Sequence, residues 1–264
     1  MRSGASAECS LLGLRVDCID RQTLLERIFG SLARGEGGWV VTANLDFIRH
    51  NAIDAQARAL YGQADLCVAD GMPLVWAARL QGQPLPERVA GSTLINHLVE
   101  RAAAEGRSLY MLGGTDSANQ RAAERIQARH PTLRLCGRSS PSVASPPNAM
   151  DIRRVADELL ALQPDIVLVG LGSPKQEQVI AALRPLLPQT WMMGVGISFS
   201  FMAGEVRRAP VWMQRIGLEW IHRMLQDPRR LIKRYLVEDL PFALRLFASA
   251  LATRVRNRGR RRTG

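Results

Sequence analysis

Asp165-Ile166-Val167-Leu168-Val169-Gly170-Leu171-Gly172-Ser173-Pro174-Lys175-Gln176 is the stretch that decides the fold. Residues 165–169 read as a short strand with no polar face. A strand apolar on both sides belongs in the middle of a parallel sheet, covered by helices above and below. A glycine-rich turn follows, then a proline where a helix can start, since the first turn of a helix has no use for the missing N–H.

The same unit recurs in both directions. Upstream, strands are expected over 12–18, 38–42, 65–69, 108–112 and 133–136; downstream, over 190–195. Helices fit 21–34 (with Asp20 as N-cap), 52–63, 73–80, 92–105, 117–129, 151–162 and 175–186. The Ser- and Pro-rich 139–149 stretch is a loop. Alternating apolar strands and amphipathic helices predict an α/β fold, with a doubly wound, mostly parallel, Rossmann-like sheet ending near Gly204. Beyond it, helices are expected over 211–225, 228–240 and 241–253, followed by a basic frayed end over 254–264. The predicted organisation is an α/β catalytic domain over 1–204 and a basic helical appendage over 205–264.

Composition agrees. The 264 residues are 47% hydrophobic and 22% charged, which excludes global disorder. The net charge of +11 is uneven. Residues 205–264 hold 15 basic against 5 acidic side chains, whereas residues 1–204 hold 20 against 19. An anionic partner for the last quarter follows: nucleic acid, a membrane surface or phosphates. Cys9, Cys18, Cys67 and Cys136 form no C-x-x-C pair, and His50, His97, His130 and His222 show no ligand spacing. No zinc site, disulfide framework or cofactor is therefore expected, and Cys67 reads as a buried thiol. The N-terminus lacks the pattern of a signal peptide, and the longest uncharged stretch, 185–204, is too broken by Gly, Pro and Ser to span a bilayer. A cytoplasmic location is expected.

Ligands of open parallel sheets bind beyond the C-terminal strand ends. Thr42, Asn44, Asp70, Gly113, Gly114, Gly170, Gly172, Lys175, Gln176, Gly194 and Gly196 all fall there. Asp70, between apolar neighbours, is either a partly desolvated general base or a helix cap before Pro73; on spacing alone the cap is the commoner. The 170–176 turn either seats a phosphate on backbone N–H groups or is simply a tight strand-to-helix turn. It completes neither a dinucleotide fingerprint nor a Walker A sequence. Arg88 is either a phosphate partner or half of a surface pair. Arg207-Arg208 is either a diphosphate clamp or a solvated linker. In the tail, Trp212, Trp220, Phe242 and Phe247 mix with Arg223, Arg229, Arg230, Arg234 and Arg245. That mixture suits a membrane interface, RNA or an ordinary helical subdomain. The apolar 241–253 stretch favours the membrane over nucleic acid.

These blocks, in order, resemble the WecG/TagA/CpsF family of bacterial glycosyltransferases. The carriers are Val41-Thr42-Ala43-Asn44, Ala69-Asp70-Gly71-Met72-Pro73, Arg88-Val89-Ala90-Gly91-Ser92, Leu112-Gly113-Gly114, Gly170 to Glu177, Gly194-Val195-Gly196, Arg207-Arg208-Ala209-Pro210, Gly217-Leu218-Glu219-Trp220 and Asp227-Pro228-Arg229-Arg230. The resemblance spans roughly residues 12–236. It implies an inverting, metal-independent transfer of a hexose-type sugar from a UDP-sugar to a polyprenyl-diphosphate-linked saccharide, in surface or exopolysaccharide assembly. It makes Asp70 the base on the acceptor hydroxyl and puts Thr42, Asn44, Arg88 and Gln176 in the pocket. It makes the C-terminal segment a peripheral dock on the inner membrane face, its arginines meeting diphosphate. The sequence contains no Asp-x-Asp pair, so an anionic leaving group needs protein cations, and Arg207, Arg208, Arg223 and Arg230 are available. UDP-glucose, UDP-N-acetylmannosamine and its uronic acid all fit as donors, and the apolar tail helices are compatible with a homo-oligomer. Asp46 departs from the Glu of many members, and the 139–149 loop and the end after Arg254 have no family counterpart. A non-catalytic nucleic-acid-binding protein with a nucleotide-sensing body is the alternative from another class; the apolar tail speaks against a nucleic-acid partner. A dehydrogenase is weaker still, for want of the dinucleotide fingerprint.

Overall fold

The computed structural model describes residues 7–215 and 217–260; the side chains of Arg215, Arg230, Arg234 and residues 258–260 lie outside that description. The first element is a hairpin of β1 (Glu8–Leu11) and β2 (Leu14–Asp17), a two-stranded sheet of its own. The sequence suggests one strand here, over 12–18. The chain instead reverses at Leu12-Gly13, both with positive φ (47° and 84°), as a two-residue hairpin turn requires. Gly13 signals such a turn; a leucine in that conformation does not.

Helix α1 (Arg21–Ala33) is capped by Asp20, whose side chain accepts from Thr23 N. Strand β3 (Gly38–Ala43) begins the main sheet. The helix expected over 52–63 is the shorter α3 (Ala55–Tyr61), capped by Asp54, and a separate helix the sequence reading lacks, α2 (Leu45–Ile53), capped by Asn44, precedes it. Then come β4 (Leu66–Ala69), α4 (Met72–Gln81), α5 (Gly91–Ala104), β5 (Ser108–Gly113), α6 (Asp116–Arg129), β6 (Arg134–Ser139), α7 (Ala149–Leu162), β7 (Ile166–Gly170), α8 (Lys175–Leu183) and β8 (Trp191–Gly194). The six strands β3–β8 form one parallel sheet in the order β4-β3-β8-β7-β5-β6. The doubly wound α/β expectation holds.

The period-2 geometry of strands sorts the core into two layers. On β7, Val167 and Val169 join the apolar cluster beneath α2, α4, α7 and α8, while Ile166 and Leu168 join the one beneath α1, α5 and α6. Tyr110 and Leu112 divide from Leu109 and Met111 in the same way on β5. Cys67 is buried among these strands, as expected.

A short helix, α9 (Ser198–Ala203), follows the sheet. The helix expected over 211–225 is broken into α10 (Val211–Arg215) and α11 (Glu219–Gln226), with Gly217 between them at φ 75°. A Cβ there would stand 2.7 Å from Met72 Cβ, so only glycine lets this turn lie against the start of α4. Helix α12 (Pro228–Ile232) runs into a π-helical segment, Lys233–Asp239, and then α13 (Leu240–Arg260). The basic stretch after Arg254, expected to fray, continues this helix to Arg260; residues 261–264 lie outside the described ones. Arg49 on α2 lies 3.4 Å from both Glu238 and Asp239, a further tie between the two parts.

Helix α13 has two apolar faces. Leu246 and Ala250 are buried in the same cluster as Leu74, Ala77 and Ala78 of α4. Leu240, Leu244, Leu251 and Val255, on another side of the helix, are each at least half exposed. Among the described residues no helix is long and apolar enough to cross a membrane. Because Leu246 fills a core position, Leu246→Ala should cost about 2–5 kcal/mol. Urea unfolding measures that cost, and hydrogen exchange should rise first in α13 and the facing side of α4.

Candidate active site

Because β3–β8 are parallel, their C-terminal ends share one edge of the sheet. There the structure brings together Thr42 and Asn44 after β3, Asp70 after β4, Gly113 and Gly114 after β5, Gly172, Lys175 and Gln176 after β7, and Gly196 after β8.

Asp70 follows the edge strand, and the segment before α5 lies alongside it. Three contacts lay that segment down. Glu87 accepts from Arg21 N at 2.6 Å, Val89 N donates to Ala69 O at 2.9 Å, and Gly91 N donates to Asp70 Oδ2 at 3.0 Å. Asp70 N itself donates to Ala43 O at 2.7 Å, pinning the residue to β3. A Cβ on Gly91 would stand 2.8 Å from Thr42 Oγ1 and 3.5 Å from Asp70 Oδ2. Glycine is what lets the N-terminus of α5 meet a threonine and a carboxylate at once. Asp70 does not cap α4: Gly71 holds the N-cap position and makes no side-chain cap bond.

Burial pushes the Asp70 carboxyl up to about 7, against the Gly91 amide and the Arg88 and Arg208 charges, which favour its ionised form. Glu219 works with burial, raising it. A carboxylate poised near neutrality, half-buried at the C-terminal edge of the sheet, is suited to take and return a proton.

The charged groups beside it form a bridge. Glu219, at the start of α11, has Oε2 3.2 Å from Arg88 Nη1 and Oε1 3.2 Å from Arg208 Nε. Arg208 Nη2 also donates to Thr93 Oγ1 at 3.0 Å. Of the sequence candidates, Asp70, Thr42, Arg88 and Arg208 thus lie together. Arg207 is exposed, with its carbonyl accepting from Gln226 at 2.8 Å. Arg223 sits 6.0 Å over the Phe201 ring. Arg230 belongs to α12, but its side chain lies outside the description.

The other candidates line the far half of the edge. Gly113 (φ 92°) and Gly114 (φ 76°) press β5 against β7, with Gly114 N donating to Gly170 O at 2.7 Å. A Cβ on Gly113 would stand 2.9 Å from the Gly170 backbone. Around the positive-φ Gly172 and Gly196 no atom stands within 4 Å of where a Cβ would be. Gln176 is buried: its Oε1 accepts from Gly196 N at 3.0 Å, and its Nε2 donates to Glu177 Oε1 at 2.7 Å. It shapes the turn after β8. Lys175 Nζ donates to Val143 O at 2.9 Å, anchoring the 139–149 loop to the start of α8. Asn44 Oδ1 caps α2 by accepting from Asp46 N and Phe47 N.

Gly91 and Glu219 join the site although the sequence alone assigns them no role. Gly91 carries a signal, a glycine at a helix start three residues after a candidate phosphate-binding arginine. Glu219 carries a fainter one, an acid within a strongly basic stretch.

The sequence model of a family described as "Glycosyl transferase WecG/TagA/CpsF family" matches residues 9–256. The chain is similar to an N-acetylglucosaminyldiphosphoundecaprenol N-acetyl-beta-D-mannosaminyltransferase of Bacillus spizizenii, 33% identical over 199 residues, 75% of each chain. It is also similar to a protein of the same name from Staphylococcus aureus, 29% identical over 230 residues, 86% of this chain and 87% of the other.

A carboxyl whose folded-state value is raised from 3.8 to about 7 adds stability at low pH and loses it as pH climbs between those values. Asp70→Asn, which cannot ionise, should therefore be more stable than the parent at pH 8 by roughly 1–3 kcal/mol. The gap should close below pH 4. Urea unfolding at both pH values measures it, and equal stability at pH 8 would contradict the raised value.

Proposed function

The chain belongs to the WecG/TagA/CpsF family of glycosyltransferases, and from that premise we propose an inverting transfer of a hexose-type sugar from a UDP-sugar to a polyprenyl-diphosphate-linked saccharide. N-acetylmannosamine is the first candidate sugar and N-acetylglucosaminyl-diphosphoundecaprenol the first candidate acceptor, after the names of the two relatives. The observation that carries the reading is Asp70, a half-buried carboxylate at the sheet edge, raised to about 7 and flanked by arginines.

In this mechanism Asp70 takes the proton of the acceptor hydroxyl. The oxygen bonds to the anomeric carbon from the face opposite the diphosphate. The carbon–oxygen bond to UDP breaks, and its electron pair leaves with the diphosphate. Arg88 and Arg208, with Arg207 next to Arg208 in the chain, supply positive charge for a diphosphate, in the role a metal ion fills elsewhere. In this reading Thr42 and Asn44 contribute to the sugar sites, Asn44 through its amide nitrogen because its Oδ1 caps α2, and the glycine turns at Gly113, Gly172 and Gly196 let the nucleotide approach the backbone closely. Gln176 acts by fixing the turn it approaches. A β-linked product, as in the relatives' names, is what inversion of an α-linked UDP-sugar delivers.

The proposed workplace is the cytoplasmic membrane face, reached peripherally. The exposed stripe of α13 and Trp212, 60% exposed, supply apolar contact. Each basic side chain near an anionic leaflet adds about 1 kcal/mol.

The test is UDP release from a panel of UDP-sugars, with N-acetylglucosaminyl-diphosphoundecaprenol in detergent and EDTA present. Acceptor-dependent release, greatest with UDP-N-acetylmannosamine, is expected. Asp70→Asn should cut kcat by about 10²–10⁴. Release from no donor by folded protein would sink the reading. Separately, Leu244→Glu with Leu251→Glu should reduce sedimentation with anionic vesicles several-fold while leaving the thermal midpoint in place.

A further inference from the structure

Glu219 is out of character with the basic segment that carries it. It is half-buried, and each oxygen is given to a different guanidinium, Arg88 and Arg208, both at 3.2 Å. Those cations come from separate elements, the segment before α5 and the linker before α10. Together with Glu219 from α11, they are charged groups that act on Asp70, beside burial, which is the largest influence, and the uncharged Gly91 amide.

The site has two demands in conflict. A diphosphate calls for clustered positive charge. A base must hold a proton near neutrality, and two guanidiniums close by would acidify it and weaken its pull on the acceptor proton. A third charge of opposite sign, bound to both cations, reconciles them. It fixes the forks by charge-assisted hydrogen bonds and cancels part of their field at the carboxylate.

We propose that Glu219 is a positioning residue of the transferase site: it holds the Arg88 and Arg208 guanidiniums in register beside Asp70 and offsets enough of their charge for Asp70 to remain a working base. The proposal rests on the transferase reading and adds to it that the C-terminal segment completes the site electrostatically.

The experiment is the pH dependence of kcat/KM for UDP release, with the donor that the panel identifies and the same acceptor, in detergent. Glu219→Gln keeps the size and loses the charge. Its acidic limb should move to lower pH by on the order of one unit, and its plateau should fall several-fold. Arg208→Gln should move the limb the opposite way, which keeps the idea testable if Glu219→Gln fails to fold. Glu219→Asp should recover part of the plateau. An unmoved limb in folded Glu219→Gln, with activity lowered equally at every pH, would reduce the residue to a tether and overturn the proposal. So would an Arg208→Gln limb that is unmoved or displaced the same way. Asp70→Asn in parallel separates the two levels. A limb that persists in that variant overturns the base assignment and this proposal with it. A limb lost there but unmoved in Glu219→Gln and Arg208→Gln overturns this proposal alone.

Discussion

The hydrogen bond from the Gly91 amide to Asp70 places one strand end, one helix start and one connecting segment in a single small volume. It needs a residue without a side chain, because the Thr42 hydroxyl already occupies the space a Cβ would take. With Gly91 in place, Val89 extends the ladder of β4, Arg88 reaches Glu219, and the first turn of α5 presents Thr93 to Arg208. Burial and the field of nearby charges act on Asp70 in opposite senses, and burial prevails.

The tail's charge is less free than its composition suggests. Arg208 is spent on Glu219 and Thr93, Arg254 reaches Leu80 O at 3.4 Å, and Arg245 lies over Phe242 at 5.7 Å. A phosphate-tracking surface would leave such side chains pointing outward and would have no use for the apolar stripe on α13. The nucleic-acid alternative draws its force from counting charges, and these three side chains have partners within the protein.

The sheet was legible because its signals are local: an apolar run, a glycine, then a helical period, all within a dozen residues. Asp70 and the glycine turns were legible for the same reason, each sitting where a strand pattern stops. The hairpin at Leu12 was not, because a leucine in a left-handed conformation carries no mark of it. Nor was the break at Gly217 read correctly, although glycine was there to see; what demands it is the closeness of Met72, far away in sequence. The pairing of Arg88 with Glu219 spans 131 positions, beyond the reach of any periodicity. Position in the chain said which strand ends could carry chemistry. Only the packing of the final helices said which charges would meet there.

Helix α13 serves two neighbours with one sequence, and it is made after the sheet. The last strand of the main sheet, β8, ends at Gly194, so as the chain leaves the ribosome the whole sheet emerges ahead of Arg208, Glu219 and Leu246. During that interval the sheet edge has Asp70 and Arg88 but not yet Arg208 and Glu219 beside them, and α4 has an apolar side with nothing on it. The order of synthesis therefore separates folding of the scaffold from assembly of the working site. Shortening the chain from its C-terminal end does not trim an accessory; it returns the protein to this earlier, unfinished stage.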